Sequence, residues 1–255
     1  MNKKFFLYLM TSIMVIVFSF GLTACGSDDD KDDDIDTTPI TLYTGDKTFV
    51  KGATNIESEN RFVALINSDN SVEGYHVGDT YLKVNGKSRI KVTVKGKFKT
   101  YDNPITEWGC SQSHVKSLQS QGTISSKSDG KYLIYENVGH ADILAYSFEN
   151  GKLESIVTMV STIYTSEYAS YMSERFFMIP YENDNDTYFI GVDALEVESA
   201  NTLAMLQVYS TSYLSAVYMP ASKYLKNSSK AKGKAQTNSD LNKKHLSEII
   251  SHLNK

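Results

Sequence analysis

The chain has 255 residues and a formal net charge of −4, with 41% hydrophobic and 22% charged residues. That is enough apolar material for one large domain or two modest ones. The negative balance excludes electrostatic capture of nucleic acid as the main activity, and two cysteines exclude a disulfide-stapled framework.

Lys3 and Lys4 give a positive start, residues 5–20 are apolar and helix-compatible, and small residues precede Cys25. Basic, then apolar, then small is the order of a secretory signal. The apolar stretch is just long enough to span a bilayer. However, it ends in Gly21-Leu22-Thr23-Ala24-Cys25, not in a basic stop-transfer flank. Leu22-Thr23-Ala24-Cys25 resembles the lipobox of bacterial lipoproteins. The resemblance implies a signal peptide over 1–24, cleavage before Cys25 and lipidation of the Cys25 thioether. The membrane is then a partner through two or three acyl chains. One chain alone holds only marginally, at ~0.8 kcal/mol per buried methylene. Loss of Lys3 and Lys4 makes the mature chain two charges more negative.

Residues 25–38 form an acidic tether. Six aspartates lie within 28–34, repel one another and resist burial, so the sequence predicts an extended, disordered segment. A calcium loop also spaces aspartates, but it requires a glycine turn and a distal glutamate that are not in place here. The run resembles the acidic export signal of Bacteroidetes lipoproteins, which implies the outer face of the outer membrane. Asp36-Thr37-Thr38 resembles the O-glycosylation triplet of that phylum, implying Thr37 as its acceptor.

Residues 39–97 read as short strands between turn residues. Strands are expected at 41–43, 48–50, 62–66, 72–75, 81–84 and 90–94. In the last of these Ile90, Val92 and Val94 share one face and Lys91, Thr93 and Lys95 the other, the alternation of a half-buried strand. Asn85-Gly86 is a hairpin signal because both positions accept positive φ. Evenly spaced short strands predict a β-sandwich. Leu42-Tyr43-Thr44-Gly45-Asp46, the turn Val72-Glu73-Gly74-Tyr75-His76-Val77-Gly78-Asp79-Thr80 and Ile90-Lys91-Val92-Thr93-Val94 resemble the bacterial immunoglobulin-like domain of the BIG type. The resemblance implies a small Ig-like spacer or adhesive module with no catalytic positions.

Residues 98–226 predict an α+β domain. Ser111 can cap a helix carrying Val115 and Leu118 and ending at Gly122. Strands follow at 132–135, 143–148 and 153–160, with Asn150-Gly151 as a hairpin turn. A second helix is expected over 166–177, placing Tyr168, Met172 and Phe176 on one face, and strands recur at 187–192, 203–209 and 214–219. Helix then strands, twice over, predicts two helix-plus-antiparallel-strand units sharing one sheet, with both helices on one side. The pattern Tyr101-x-Asn103-Pro104-x-x-x-Trp108-Gly109-x-Ser111-x-x-x-Val115-Lys116 resembles one common in uncharacterised Bacteroidetes surface lipoproteins. The fold class is therefore mixed: a small Ig-like sandwich followed by an α+β domain. In the tail, 227–255, a polar, basic linker precedes an amphipathic helix with Leu241, Leu246, Ile249, Ile250 and Leu253 on one side. That helix either docks on its own domain or meets a partner.

Reactive constellations are few. The sequence contains no His-Glu-x-x-His, Gly-x-Ser-x-Gly, P-loop or Cys-x-x-Cys, and its five histidines are widely separated. No metal or other cofactor is expected. Asp184 and Asp186 read as a solvated hairpin loop. The one candidate reactive pair is Cys110 and His114, since a helix start lowers a thiol pKa and a histidine can activate it. Six tyrosines are candidates for glycan stacking: Tyr164, Tyr168, Tyr171, Tyr209, Tyr213 and Tyr218. The expectation is a lipid-anchored, outer-membrane surface protein without enzymatic activity that contacts a surface protein or matrix. A glycan-binding accessory protein of a polysaccharide-uptake system is the alternative, and a hydrolase comes third.

Overall fold

A computed structural model describes residues 35–182, 187–223 and 246–253. Cys25 with the signal and most of the tether, Asp184 and Asp186, and residues 224–245 lie outside the described residues. The chain divides between Lys97 and Phe98 into two compact units, and both are dominated by β-structure.

The first unit contains β1 (Ile40–Tyr43), β2 (Lys47–Thr48), β3 (Ile56–Ser58), β4 (Ala64–Ile66), β5 (Val72–Gly74), β6 (Gly78–Val84) and β7 (Ser88–Lys95). They form two sheets, ordered β1-β7-β6-β3 and β2-β5-β4, with β1 parallel to β7. One apolar cluster draws on both sheets and includes Leu42, Ile56, Ala64, Val72, Leu82 and Val92. The alternation in β7 is as read from the sequence: Ile90, Val92 and Val94 are buried while Lys91 and Lys95 are exposed. Asn85 and Gly86 both take positive φ at the β6–β7 turn. The Asn85 side chain also clasps the loop before β3, accepting from the Thr54 and Asn55 amides and donating to the Gly52 carbonyl.

Two strand expectations shift. The strand foreseen at 62–66 begins only at Ala64, because Asn60 closes a turn: its side chain accepts from the Phe62 amide and its carbonyl from those of Val63 and Ala64. The strand foreseen at 48–50 is cut to Lys47–Thr48, leaving Phe49 exposed. β3 was not anticipated. It is three residues long, and only Ile56 among them is buried, too little to register as a period.

In the second unit, α1 (Gln112–Leu118) precedes β8 (Thr123–Ile124), β9 (Tyr132–Val138), β10 (Ala141–Glu149) and β11 (Lys152–Ser161). Helix α2 (Thr165–Ser173) precedes β12 (Phe177–Glu182), β13 (Thr187–Val192), β14 (Thr202–Val208) and β15 (Tyr213–Pro220). All eight strands make one antiparallel sheet ordered β12-β13-β14-β15-β11-β10-β9-β8. Each helix thus leads a four-strand meander, and the meanders join where β15 pairs with β11. Both edges are blunted against further pairing: β8 has two residues and β12 carries Pro180.

The register divides the sheet residues between two faces. Thr158 on β11, Tyr218 on β15 and Tyr146 on β10 lie on one face, which α1 and α2 cover: Tyr168 of α2 meets Thr158, and Gln119 at the end of α1 meets Tyr146. Residues 246–253 form a third helix, α3, on the opposite face. There Leu246 and Ile249 are buried against Tyr132, Ile134, Ala145, Val157 and Val217. Of the two alternatives for this tail, the helix docks on its own unit.

Helix α2 is shorter than expected. Tyr168, Met172 and Phe176 are all buried as their spacing predicts, but Phe177 leaves the turn and pairs with Val192. Gly191 makes room for this exit, since a Cβ there would lie 2.8 Å from that of Phe176.

Candidate functional site

The Cys110–His114 pair does not form. Ser111 caps α1 by accepting from the His114 amide, which places Cys110 before the helix. The His114 ring is engaged elsewhere, its Nε2 lying 2.8 Å from Oε2 of Glu107. Burial, then the negative charge of Glu107, push the Cys110 thiol up, away from the thiolate needed for nucleophilic attack. These neighbours do not favour an activated thiol.

Three of the six candidate stacking tyrosines are interior residues. Tyr168 and Tyr171 are 0% exposed and Tyr218 is 1% exposed, so none offers a ring to a ligand. With Tyr101 and Thr158, Tyr168 and Tyr218 build a hydroxyl cluster, while the Tyr171 hydroxyl donates to Asn103. The Tyr101 hydroxyl lies 2.5 Å from that of Tyr218 and 3.2 Å from those of Tyr168 and Thr158, while Tyr168 and Thr158 are 2.7 Å apart. Burial pushes the phenols of Tyr101, Tyr168 and Tyr218 well up, so each stays protonated and can donate. Arg175 stacks on the Tyr171 ring at 3.6 Å and donates to Asn103.

The other three, Tyr164, Tyr209 and Tyr213, lie at one end of the eight-stranded sheet, Tyr164 with Glu167 of α2 on one face and Tyr213 on the opposite face against the α3 cluster. The β9–β10 turn, the end of β11 and the β14–β15 turn meet there, since Ala141 pairs with Val138 and Val160, and Ser161 pairs with Tyr213. Thr162 ties the turns together, donating its amide to Ser212 and its hydroxyl to Thr211. Ile163 is 81% exposed and Tyr209 41% exposed.

His140, in the β9–β10 turn, stacks face to face on Tyr164 with centroids 4.0 Å apart and planes within 10°. Glu167 of α2 braces this pair. Its Oε2 lies 3.3 Å from His140 Nδ1, out of hydrogen-bond alignment, and its Oε1 accepts from Thr100. The charge of Asp142, and then the hydrogen bond that the Tyr213 hydroxyl donates to it, push the Tyr213 phenol up. The sequence signalled the tyrosines but not His140, Asp142 or Glu167, whose roles depend on pairing across the sheet end. The one visible cue was Gly139 before His140, marking a turn.

A shallow groove of about 670 Å³ lies between α3 and the start of β9, lined by Asp129, Lys131, Tyr132, Glu248 and His252 among others. Its charged groups are turned on one another: Lys131 pairs with Glu248 and His252 with Asp129. Thr37 is exposed, beside a turn in which Asp36 accepts from the Thr38 amide. Among the described residues, no group of three or more His, Cys, Asp or Glu could hold a metal ion, and no helix is long and apolar enough to cross a membrane.

No protein-family model and no curated protein matches this chain.

Proposed function

We propose that this protein is a lipid-anchored binding module on the outer surface of the outer membrane. Its first unit acts as an Ig-like spacer of the BIG type, and its second unit makes the contact. The observation that carries this reading is Leu22-Thr23-Ala24-Cys25 at the end of an apolar segment and directly before an acidic run. Two structural facts support the binding role. Burial and Glu107 push the Cys110 thiol up, and the His114 ring meets Glu107. The exposed aromatic and aliphatic side chains of the second unit, meanwhile, include Ile163 and Tyr209 at one end of a sheet whose edges are blunted.

The test is metabolic labelling with palmitate, with Cys25→Ser as the control, followed by protease treatment of intact cells. Label that enters the chain, is lost in Cys25→Ser, and marks a protein cleaved from outside supports the reading. An unlabelled chain, or a labelled chain protected in intact cells, overturns it.

A further inference from the structure

We propose that the end of the first unit at which the tether enters rests against the bilayer holding the acyl chains of Cys25, with Phe49 as its contact. This rests on the anchoring reading and adds to it which surface of the protein meets lipid.

The strand order fixes two ends. β1 runs parallel to β7, with Ile40 beside Val92 and Tyr43 beside Lys95. The chain before Ile40 therefore comes from the end that holds the β6–β7 turn, Asn85-Gly86-Lys87. Three contacts agree with this. Ile35 packs against the core of the unit. The Asp36 carboxyl is held below its usual range first by hydrogen bonds from Thr38 and also by the charge of Lys51. Gly52, next to Lys51, accepts from the Asn85 side chain. The chain leaves at the other end, where Lys97 pairs with Asp46 of the β1–β2 turn at 3.1 Å. The eight residues of β7 separate the two ends by about 23 Å.

Residues 26–34 alone lie between Cys25 and Ile35. Even fully extended, this stretch reaches at most about 36 Å, so an acylated Cys25 keeps the entry end close to lipid. Within that reach, Phe49 decides the orientation. It is 67% exposed, the most exposed large apolar side chain of the first unit among the described residues. It leads into the turn Val50–Ala53, closed by the Ala53 amide on the Val50 carbonyl and clasped by Asn85 through Gly52. A phenyl ring gains by leaving water for the boundary between headgroups and acyl chains. Lys51 and Lys87 are exposed at the same end, and their apolar stems can lie along lipid while the charges stay among headgroups. Asp36 beside Lys51 offsets part of that charge, so the contact does not require anionic lipid. Tyr43, 46% exposed, stands at the exit end, but there the chain runs on into the second unit. A second copy is the competing occupant, and one phenyl ring is too little for the core of an interface of about 800 Å² a side.

The test uses the full, lipidated chain in phosphatidylcholine vesicles. Phe49→Trp adds an indole whose emission should shift to the blue and be lost when the acyl chains carry bromine, with Trp108 of the parent chain as the baseline. Separately, in a Cys110→Ser background, a donor dye on Lys87→Cys should transfer more energy to an acceptor lipid than the same dye on Lys97→Cys. Emission of Phe49→Trp that bromine leaves unchanged overturns the proposal, as does equal or reversed transfer from the two positions. A blue shift that grows with protein concentration in non-ionic detergent marks a second copy over Phe49 and overturns it too. A chain that takes up no palmitate overturns the anchoring reading and this one together. A palmitate-labelled, vesicle-bound chain whose Phe49→Trp emission is not quenched fails here alone.

Discussion

The hydroxyl oxygens of Tyr101 and Tyr218 lie 2.5 Å apart although 117 residues separate them in sequence. Tyr101 belongs to the segment that enters the second unit, and Tyr218 to a central strand of its sheet, so this contact pins the entry segment onto the sheet. A buried hydroxyl left without its partner costs about 1–3 kcal/mol, more than the net gain from an average hydrogen bond. Tyr101→Phe is therefore expected to lower the stability of the second unit by that amount. In the double variant Tyr101→Phe/Tyr218→Phe the two losses should fall short of adding, with a coupling of about 1 kcal/mol or more. Urea unfolding followed by Trp108 fluorescence reads this, since Trp108 is anchored to Thr202 in the same unit. Strict additivity would show that the two hydroxyls do not depend on each other.

His76 gives the first unit a pH dependence of known sign. Its ring is 4% exposed, stacks on Phe62 at 3.9 Å and meets the Phe62 carbonyl through Nδ1 at 2.9 Å. Burial lowers its pKa, and the hydrogen bond only partly opposes this. The unfolded chain therefore takes up a proton first, near the usual imidazole value of about 6.5. Stability is fully present above that value and falls as the pH drops below it toward the folded pKa. Urea midpoints read from NMR peaks of the first unit should decline between pH 7.5 and 5. The slope should flatten in His76→Phe, which never gains a charge. An imidazole that titrates at or above its usual value would remove the cause.

Much of this architecture was legible in the sequence where period and turn chemistry agree. Ile90, Val92 and Val94 announced a half-buried strand, Asn85-Gly86 its hairpin, and Tyr168, Met172 and Phe176 the inward face of α2. What escaped was whatever depends on partners distant in the chain. Phe177 follows directly on the helical spacing of Tyr168, Met172 and Phe176 and is taken into β12 where it pairs with Val192. The six tyrosines looked alike in sequence, yet the sheet register buries Tyr218 and leaves Tyr213 at an end. His140 and Glu167 are 27 positions apart and acquire meaning only when the β9–β10 turn meets α2.

Docking of α3 carries its own prediction. Ile249 is 1% exposed beneath the helix, and truncation of such a side chain costs about 2–5 kcal/mol when the surroundings cannot collapse. A segment that can detach, however, cannot transmit more than its own docking free energy to the rest of the unit. Ile249→Ala should therefore release α3 while leaving the Trp108 unfolding midpoint shifted by less than this range. Hydrogen exchange at 246–253 should rise well above that of β11. Glu248→Gln, which removes a partly exposed pair with Lys131, should change little, within about 1 kcal/mol. Equal protection of α3 and β11 in Ile249→Ala would show that the helix is part of the global cooperative unit.

Cys110 should react slowly. Its thiol is pushed up first by burial and then by Glu107, so the thiolate fraction at neutral pH is below that of a free cysteine. Alkylation by iodoacetamide in the full chain is expected to lag behind a model thiol at pH 7 and to rise only above the ordinary thiol range. Glu107→Gln removes the second cause and should move the midpoint of the rate profile downward while the effect of burial remains. Fast alkylation at pH 7 would restore the activated pair that the geometry contradicts.

Gly139 links the fold to the aromatic end. Its φ is +59°, and a Cβ there would lie 2.5 Å from the Thr100 carbonyl oxygen, the same oxygen that accepts from the His140 amide at 2.6 Å. Gly151 also has positive φ, +74°, but a Cβ there meets nothing within 4 Å. An alanine in the left-handed region costs about 1–2 kcal/mol by itself, and forced overlap with backbone adds about 1–3 kcal/mol. Gly151→Ala should thus cost only the first amount, and Gly139→Ala both. Because the overlap is relieved only by moving the β9–β10 turn away from Thr100, Gly139→Ala should also displace His140 from Tyr164. The ring-current shift of the His140 protons should then be lost in Gly139→Ala and kept in Gly151→Ala. Equal destabilisation by the two substitutions, with the His140 resonances unmoved, would show that the turn does not hold the stack.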